Sequence, residues 1–126
     1  YGDEAGLCGM ADPFNRGTYP WGREDEELVK YFQTLGQLRR SHDGLTSKGC
    51  AMWGKGDIFA LCRNGVITIV NRGKKTRVVL KEEDFVGDMK ADLSGRYKDI
   101  LTGSVYMDMT GTIILPAETA MILVKE

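Results

Sequence analysis

The sequence predicts a mainly β protein, in which a loop and one helix precede an antiparallel β-sandwich over residues 46–126. Two observations support this prediction. Apolar residues recur with a helical period only within residues 24–41, whereas after about residue 45 they alternate or form short runs. Turn-forming residues then interrupt these runs about every ten residues, which is typical of a sandwich built from short strands.

The first 22 residues, "YGDEAGLCGMADPFNRGTYPWG", are rich in glycine and other turn formers, so they are predicted to be mostly loop. Within them, "DPFNRGTYPWG" (12–22) carries two prolines, two glycines and three aromatic residues. No regular helix or strand favours this composition.

A helix is predicted over 24–41. Four acidic residues open it and Arg39 and Arg40 close it, which matches the charge of the helix dipole at each end. Gly44 then favours termination. The apolar face is formed by Leu28, Phe32, Leu35 and Leu38. We expect this face to pack against the sandwich, because so short a helix is marginal alone.

The β part begins with two runs, "DIFALCRN" (57–64) and "GVITIVNRG" (65–73), joined by Asn64-Gly65, which is a strong signal for a tight hairpin. "KKTRVVLKE" (74–82) predicts a third strand, and a short strand is predicted near 90–93. Three more strands are predicted within "YKDILTGS" (97–104), "GTIILPAE" (111–118) and "TAMILVKE" (119–126).

The charge and the rarer residues exclude several kinds of partner. A net charge of −1 gives no electrostatic footprint for nucleic acid, and the apolar runs are too short to span a membrane. One histidine, His42, and three cysteines without CxxC spacing predict no metal site and no cofactor. Three free thiols are expected, with one disulfide bridge as the alternative. The start at Tyr1, without Met, indicates an internal fragment, so the compartment of this soluble chain, cytoplasmic or secreted, is left open.

"YGDEAGL" followed by "DPFNRGTYPW" and an acidic-started helix ending in "LRR" resembles the last strand end, loop and helix of an α-amylase-family (β/α)₈ barrel. The similarity is greatest to neopullulanases, cyclomaltodextrinases, maltogenic amylases and amylopullulanases. "DIFALCRNGVITIVN", "YKDILTG" and "GTIILPAETAMILV" resemble the C-terminal antiparallel Greek-key β-sandwich of that family. The resemblance therefore implies that residues 1–45 end a barrel and residues 46–126 form the C-terminal domain.

The resemblance also implies a role for Asp12 and Arg16, namely binding of the glucose on the non-reducing side of the scissile bond in the intact enzyme. A carboxylate and a guanidinium can together bind neighbouring hydroxyls of one sugar. The alternative is an ion pair that only fixes the loop. The catalytic carboxylates of the family would lie upstream of Tyr1, so the chain alone is predicted to be inactive. Asp3 and Glu4 are expected to end a strand, where adjacent side chains point to opposite faces and cannot flank one bond.

The remaining candidates are aromatic residues and His42. Trp53 is a candidate sugar-stacking platform in an exposed turn, or alternatively a strand-end side chain that caps the core. Trp21, just before the helix, is expected to form a hydrophobic staple. Tyr97 and Tyr106 are expected in the core or at its rim, and His42 is expected to be solvated.

Two functions remain open. The first is the C-terminal part of an α-glucan hydrolase acting on starch, pullulan or maltodextrin, in which the sandwich stabilises the barrel. The second is a stand-alone glucan-binding β module that uses aromatic residues such as Trp53. In the first case the isolated chain is expected to self-associate, because surface that would face the barrel lacks its partner. The choice between α-1,4 and α-1,6 cleavage, and between hydrolysis and transglycosylation, is not predicted.

Overall fold

A computed structural model describes residues 1–42, 45–46 and 49–126 of a chain that divides into two compact units, Tyr1–Asp43 and Gly44–Glu126. The first unit contains a short 3₁₀ helix, Asp3–Ala5, a long loop and helix α1, Glu26–Ser41. The described part of the second contains strands, turns and the 3₁₀ helix Glu82–Asp84. Across the described residues, no helix combines the length and hydrophobicity needed to cross a membrane.

Helix α1 confirms the predicted helix and begins two residues later than predicted. Asp25 is the N-cap, and its Oδ1 accepts a 3.0 Å hydrogen bond from the Leu28 amide. This bond satisfies one of the amide groups that lack a helical partner. At the other end, the amide of His42 donates to the Leu38 carbonyl. His42 is half-buried, so the prediction of a solvated side chain was wrong.

The strand pairs in the described part of the second unit are all antiparallel. They are β1 (Ala51–Lys55), β2 (Ile58–Arg63), β3 (Val66–Asn71), β4 (Thr76–Leu80), β5 (Val86–Gly87), β6 (Tyr97–Asp99), β7 (Val105–Tyr106), β8 (Gly111–Leu115) and β9 (Thr119–Lys125). One sheet has the order β5-β1-β2-β3-β9-β6-β7, and β4 and β8 form the other. The mainly β prediction is therefore confirmed, with a 7-stranded and a 2-stranded sheet.

The β2–β3 hairpin forms where the sequence predicted it. Asn64 and Gly65 have φ values of +41° and +79°. A two-residue turn whose twist matches that of the flanking strands requires a positive φ at both positions. The pairing continues from Arg63 opposite Val66 to Ile58 opposite Asn71. A two-residue turn thus fixes which residues of β2 and β3 face the core.

The strand predicted near 90–93 is absent, because this segment takes its hydrogen bonds from elsewhere. The Leu93 amide donates to Glu82 Oε1 at 2.8 Å, and its carbonyl accepts from the Met109 amide at 2.8 Å. Leu93 is nevertheless fully buried. The segment is irregular backbone that contributes side chains to the core, and its apolar residues gave a misleading strand signal.

One apolar cluster lies between the two sheets. Its fully buried larger members are Cys62, Ile67, Ile69, Leu80, Leu93, Tyr97, Met109, Leu115 and Leu123. Tyr97 donates to the Asp92 carbonyl at 2.7 Å, and Tyr106 packs against the cluster, so both tyrosines lie where they were predicted. The three thiols are free, as predicted.

Four ionisable groups meet at the edge of this cluster. Burial raises the pKa of the Cys62 thiol and that of the Tyr97 hydroxyl. The Lys125 ammonium, which pairs with Asp92 and lies 5.9 Å from the centre of the Tyr97 ring, lowers the pKa of the Asp92 carboxyl. Cys62 and Tyr97 are therefore held neutral as core residues, while Asp92 and Lys125 carry the charge at the rim.

Candidate functional site

The loop between the two helices of the first unit holds the predicted sugar-binding pair. Two turns shape it, with the Phe14 amide donating to the Ala11 carbonyl at 3.0 Å and the Arg16 amide to the Pro13 carbonyl at 3.2 Å. The peptide bond before Pro13 is cis. These turns bring Asp12 and Arg16 to the same side of the loop.

Asp12 and Arg16 form an ion pair in which Arg16 Nε donates to Asp12 Oδ1 at 2.9 Å. Both side chains are about two-thirds exposed, at 61% for Asp12 and 66% for Arg16. This geometry uses one nitrogen and one oxygen of the pair. The two terminal nitrogens of Arg16 and Oδ2 of Asp12 stay available for a ligand, so a sugar could accept from one side chain and donate to the other.

Three aromatic residues lie close to this ion pair along the sequence of the loop. Phe14 is 76% exposed, and the rings of Tyr19 and Trp21 lie 4.6 Å apart at a tilt of 54°. Because Trp21 is itself 82% exposed, it does not form the predicted hydrophobic staple. Its apolar contact is with Tyr19 instead. Partial desolvation, with the nearby Glu24 and Glu4 carboxylates, raises the pKa of Tyr19.

Asp3 and Glu4 do not end a strand. They lie in the 3₁₀ helix Asp3–Ala5, whose flanking Gly2 and Gly6 both have left-handed backbone. The physical reason is local, because two glycines that permit positive φ allow the chain to close a tight turn around these acids. The expected strand end was therefore wrong.

Trp53 lies within β1 rather than in a turn. Its inward-facing side chain is half-buried and packs against the core cluster, as expected for a side chain that caps the core. Strand β5 pairs only with Ala51 and Met52 of β1, so at Trp53 the sheet has an open edge. The ring therefore borders a concave surface.

That surface, which we call the hairpin groove, was not predicted. It has a volume of about 1090 Å³ and lies between the β1–β2 hairpin, the loop from β3 to β4, and the β8–β9 turn. Trp53 and Ile58 contribute apolar surface, and charged groups of both signs line it, namely Lys55, Asp57, Arg72, Lys74, Lys75, Arg77, Asp84 and Glu118. The signal in the sequence was "NRGKKTR" (71–77), which places four cations within six residues.

The outer face of the large sheet carries a group of apolar residues, whereas a solvated face would normally be polar. Met52 lies opposite Leu61, and Phe59 lies opposite Val70, which in turn lies opposite Ala120. Met52 and Phe59 are 40% and 46% exposed. We call these five residues the outer sheet face, and their composition is that of an interface rather than of a solvated surface.

This helix-plus-sandwich chain is homologous to part of several α-amylase-family proteins. It is 31% identical to an amylopullulanase of Thermoanaerobacter thermohydrosulfuricus over 131 residues, which is 91% of this chain and 8% of that protein. It superposes over its full length on 28% of an Anoxybacillus α-amylase structure, with TM-score 0.73 and 26% identity. No family model matches the chain.

A third similarity concerns the fold alone. The structure of AmyP E221Q in complex with maltotriose matches 93% of this chain with TM-score 0.63 and 21% identity, and the chain covers 24% of it. The chain is thus related to α-amylase-family glycoside hydrolases over a small portion of each of them. The predicted resemblance is confirmed at that level.

Proposed function

We propose that the chain is the C-terminal part of a longer α-glucan hydrolase. In this proposal, residues 1–45 complete a (β/α)₈ barrel and residues 46–126 form a sandwich that stabilises it. The observation that carries the proposal is the match of the whole chain to 28% of an α-amylase structure, together with its match to 8% of an amylopullulanase. Starch, pullulan and maltodextrins are the substrate class of the intact enzyme.

Asp12 and Arg16 bind substrate in this proposal. The loop after a barrel strand faces the active site of a (β/α)₈ enzyme, and the exposed pair retains free donors on Arg16 and a free acceptor on Asp12. Vicinal sugar hydroxyls each donate and accept, so they complement such a pair. The glucose held would be the one on the non-reducing side of the scissile bond.

The outer sheet face would pack on the barrel. An apolar sheet face gains free energy when another element covers it, at about 25 cal/mol for each Å² removed from water. Met52 and Phe59 retain enough exposed surface to contribute to that contact. The stabilising role of the sandwich follows from this burial.

The test is a pair of substitutions in the intact enzyme, Asp12→Ala and Arg16→Ala. Each should lower kcat/KM about ten- to hundredfold, because a hydrogen bond to a charged group contributes about 1.5–3 kcal/mol. A lower kcat is expected as well, since the glucose ring distorts in the transition state. Steady-state kinetics on maltoheptaose and pullulan measure both.

Two controls accompany these variants. Arg96→Ala breaks another exposed ion pair, Arg96–Glu126 at 2.7 Å, and should leave kcat/KM unchanged. The 126-residue chain alone should release no reducing sugar, because the catalytic carboxylates would lie upstream. Near-wild-type kcat/KM in both Asp12→Ala and Arg16→Ala would reduce their pair to a structural role.

A further inference from the structure

The hairpin groove has an aromatic wall whose position is fixed. Trp53 lies opposite Ala60, which is fully buried, and its indole packs against the core cluster. The indole also lines the groove, beside the part of β1 that β5 does not cover. An aromatic ring held in this way loses little conformational entropy when a ligand stacks on it.

The charges of the groove are mixed. Carboxylates from Asp57, Asp84 and Glu118 line the same surface as the cations of the β3–β4 loop. An anionic ligand would meet the three negative groups there, and a cationic ligand would meet the five positive groups. A neutral ligand with many hydroxyl groups avoids both penalties, because each hydroxyl can donate to a carboxylate and accept from a cation.

The loop that carries the cations is held by a buried side chain. Asn71 is 1% exposed, and its Nδ2 donates to the carbonyls of Lys74 and Pro116 at 3.0 and 2.6 Å. Its Oδ1 accepts from the Gly73 amide at 3.0 Å, and the Glu118 amide donates to the Gly73 carbonyl. One residue thus joins the β3–β4 loop to the β8–β9 turn.

The space between these walls is further fixed at Gly73. A Cβ on Gly73 would lie 2.6 Å from Asp57 Oδ2 and 3.0 Å from Asp57 Cβ, so the β1–β2 hairpin and the β3–β4 loop are in direct contact there. The Arg72 amide also donates to the Asp57 carbonyl at 3.0 Å. The groove is therefore largely formed before any ligand arrives, which favours specific binding.

We propose that the hairpin groove is a sugar-binding site that takes a short segment of an α-glucan, with Trp53 stacking on one glucose ring and the surrounding carboxylates and cations binding its hydroxyls. The choice of an α-glucan rests on the proposed function, whereas the choice of a neutral polyhydroxylated ligand rests on the groove itself. This site belongs to the sandwich and involves neither Asp12 nor Arg16. It would hold polymer without cleaving it.

Isothermal titration calorimetry of the 126-residue chain with maltoheptaose tests the site. The wild-type chain should bind it, and Trp53→Ala should weaken binding at least tenfold. Phe59→Ala, an exposed aromatic on the outer sheet face, is the matched control and should bind as the wild type does. Because Trp53→Ala removes core contacts, Lys75→Ala with Asp84→Ala provides a second test at two exposed groove residues and should weaken binding several-fold.

Three results would overturn the proposal. One is the absence of heat with maltoheptaose at millimolar concentration. Another is equal binding by the wild type and by folded Trp53→Ala. The third is binding of inorganic phosphate or a polyglutamate peptide in place of maltoheptaose, which would identify an anion site. None of these results bears on the kinetics of Asp12→Ala and Arg16→Ala, so the proposed function and this site fail separately.

Discussion

Asp99 shows how much one buried polar residue contributes at the scale of a single side chain. It is 1% exposed, and its carboxylate accepts three hydrogen bonds. Oδ1 accepts from the amides of Leu101 and Ile122 at 3.1 and 3.2 Å, and Oδ2 accepts from Thr102 Oγ1 at 2.7 Å. Amides and a hydroxyl thus replace the water around this buried carboxylate.

Replacing this residue should therefore be costly. Asp99→Ala leaves the amides of Leu101 and Ile122 unpaired, and we expect it to lower the free energy of unfolding by about 2–4 kcal/mol. Asp99→Asn keeps one acceptor oxygen and should lose less. Urea denaturation followed by fluorescence measures both, and an Asp99→Ala variant within 0.5 kcal/mol of the wild type would contradict this role.

Among the elements, the short strand β5 depends on a glycine. Gly87 has φ of +157°, and a Cβ at this position would lie 2.0 Å from the Cys50 carbonyl oxygen and 3.0 Å from Ala51 Cα. The neighbouring Asp88 fixes the same contact, since its Oδ1 accepts from the Cys50 amide at 2.7 Å. Strands β5 and β1 can approach this closely only because residue 87 lacks a side chain.

Gly87→Ala should accordingly separate β5 from β1 and destabilise the sandwich by about 1–3 kcal/mol. Faster amide hydrogen exchange at Met52, with a lower midpoint in urea, would be the signature. Gly36→Ala is the matched control, because Gly36 lies inside α1 and a Cβ there meets nothing within 4 Å. That substitution should stabilise α1 by up to about 1 kcal/mol. Equal effects from both variants would refute the steric explanation.

The packing of the apolar face of helix α1 stays a prediction. Its apolar face has the predicted spacing, but none of its residues is fully buried and Phe32 is 44% exposed. The expected packing of this face on the sandwich is therefore still a prediction. The exposure of Phe32 bears instead on how copies of the chain meet.

For the whole molecule, we predict self-association of the isolated chain. Phe32 on α1 and Met52 and Phe59 on the outer sheet face are each at least 40% exposed. Apolar surface of this kind favours contact between copies when its proposed partner, the barrel, is missing. Light scattering should give a mass that increases with concentration, and Phe32→Ser combined with Phe59→Ser should restore the monomer. Val79→Ser, a similarly exposed residue on the small sheet, is the control.

A monomer of the wild-type chain at millimolar concentration would count against the prediction, and so would an unchanged mass in the double variant. Either result would indicate that these surfaces are solvated in the chain as it stands. The outer sheet face would then lose its support as the surface that meets the barrel.

The sequence by itself determined the features that depend on near neighbours. Helix α1 follows from apolar spacing and from the acidic and basic residues at its two ends, and the β2–β3 turn follows from Asn64-Gly65. The Asp12–Arg16 pair could be predicted from the sequence too, because its members are four residues apart in a recognisable loop. Local chemistry fixes these features, since their partners are always close along the chain.

Only the tertiary structure decided the features made by distant residues. Asn71 donates to the carbonyl of Pro116, 45 positions away. Strand β3 pairs with β9, which is distant in sequence, as well as with its neighbour β2. The irregular path of Leu93 and the hairpin groove follow from such contacts. A pattern of apolar residues reports which side chains are buried, but the partner that each buried group meets is set by the closure of long loops. That closure depends on the packing of the whole core.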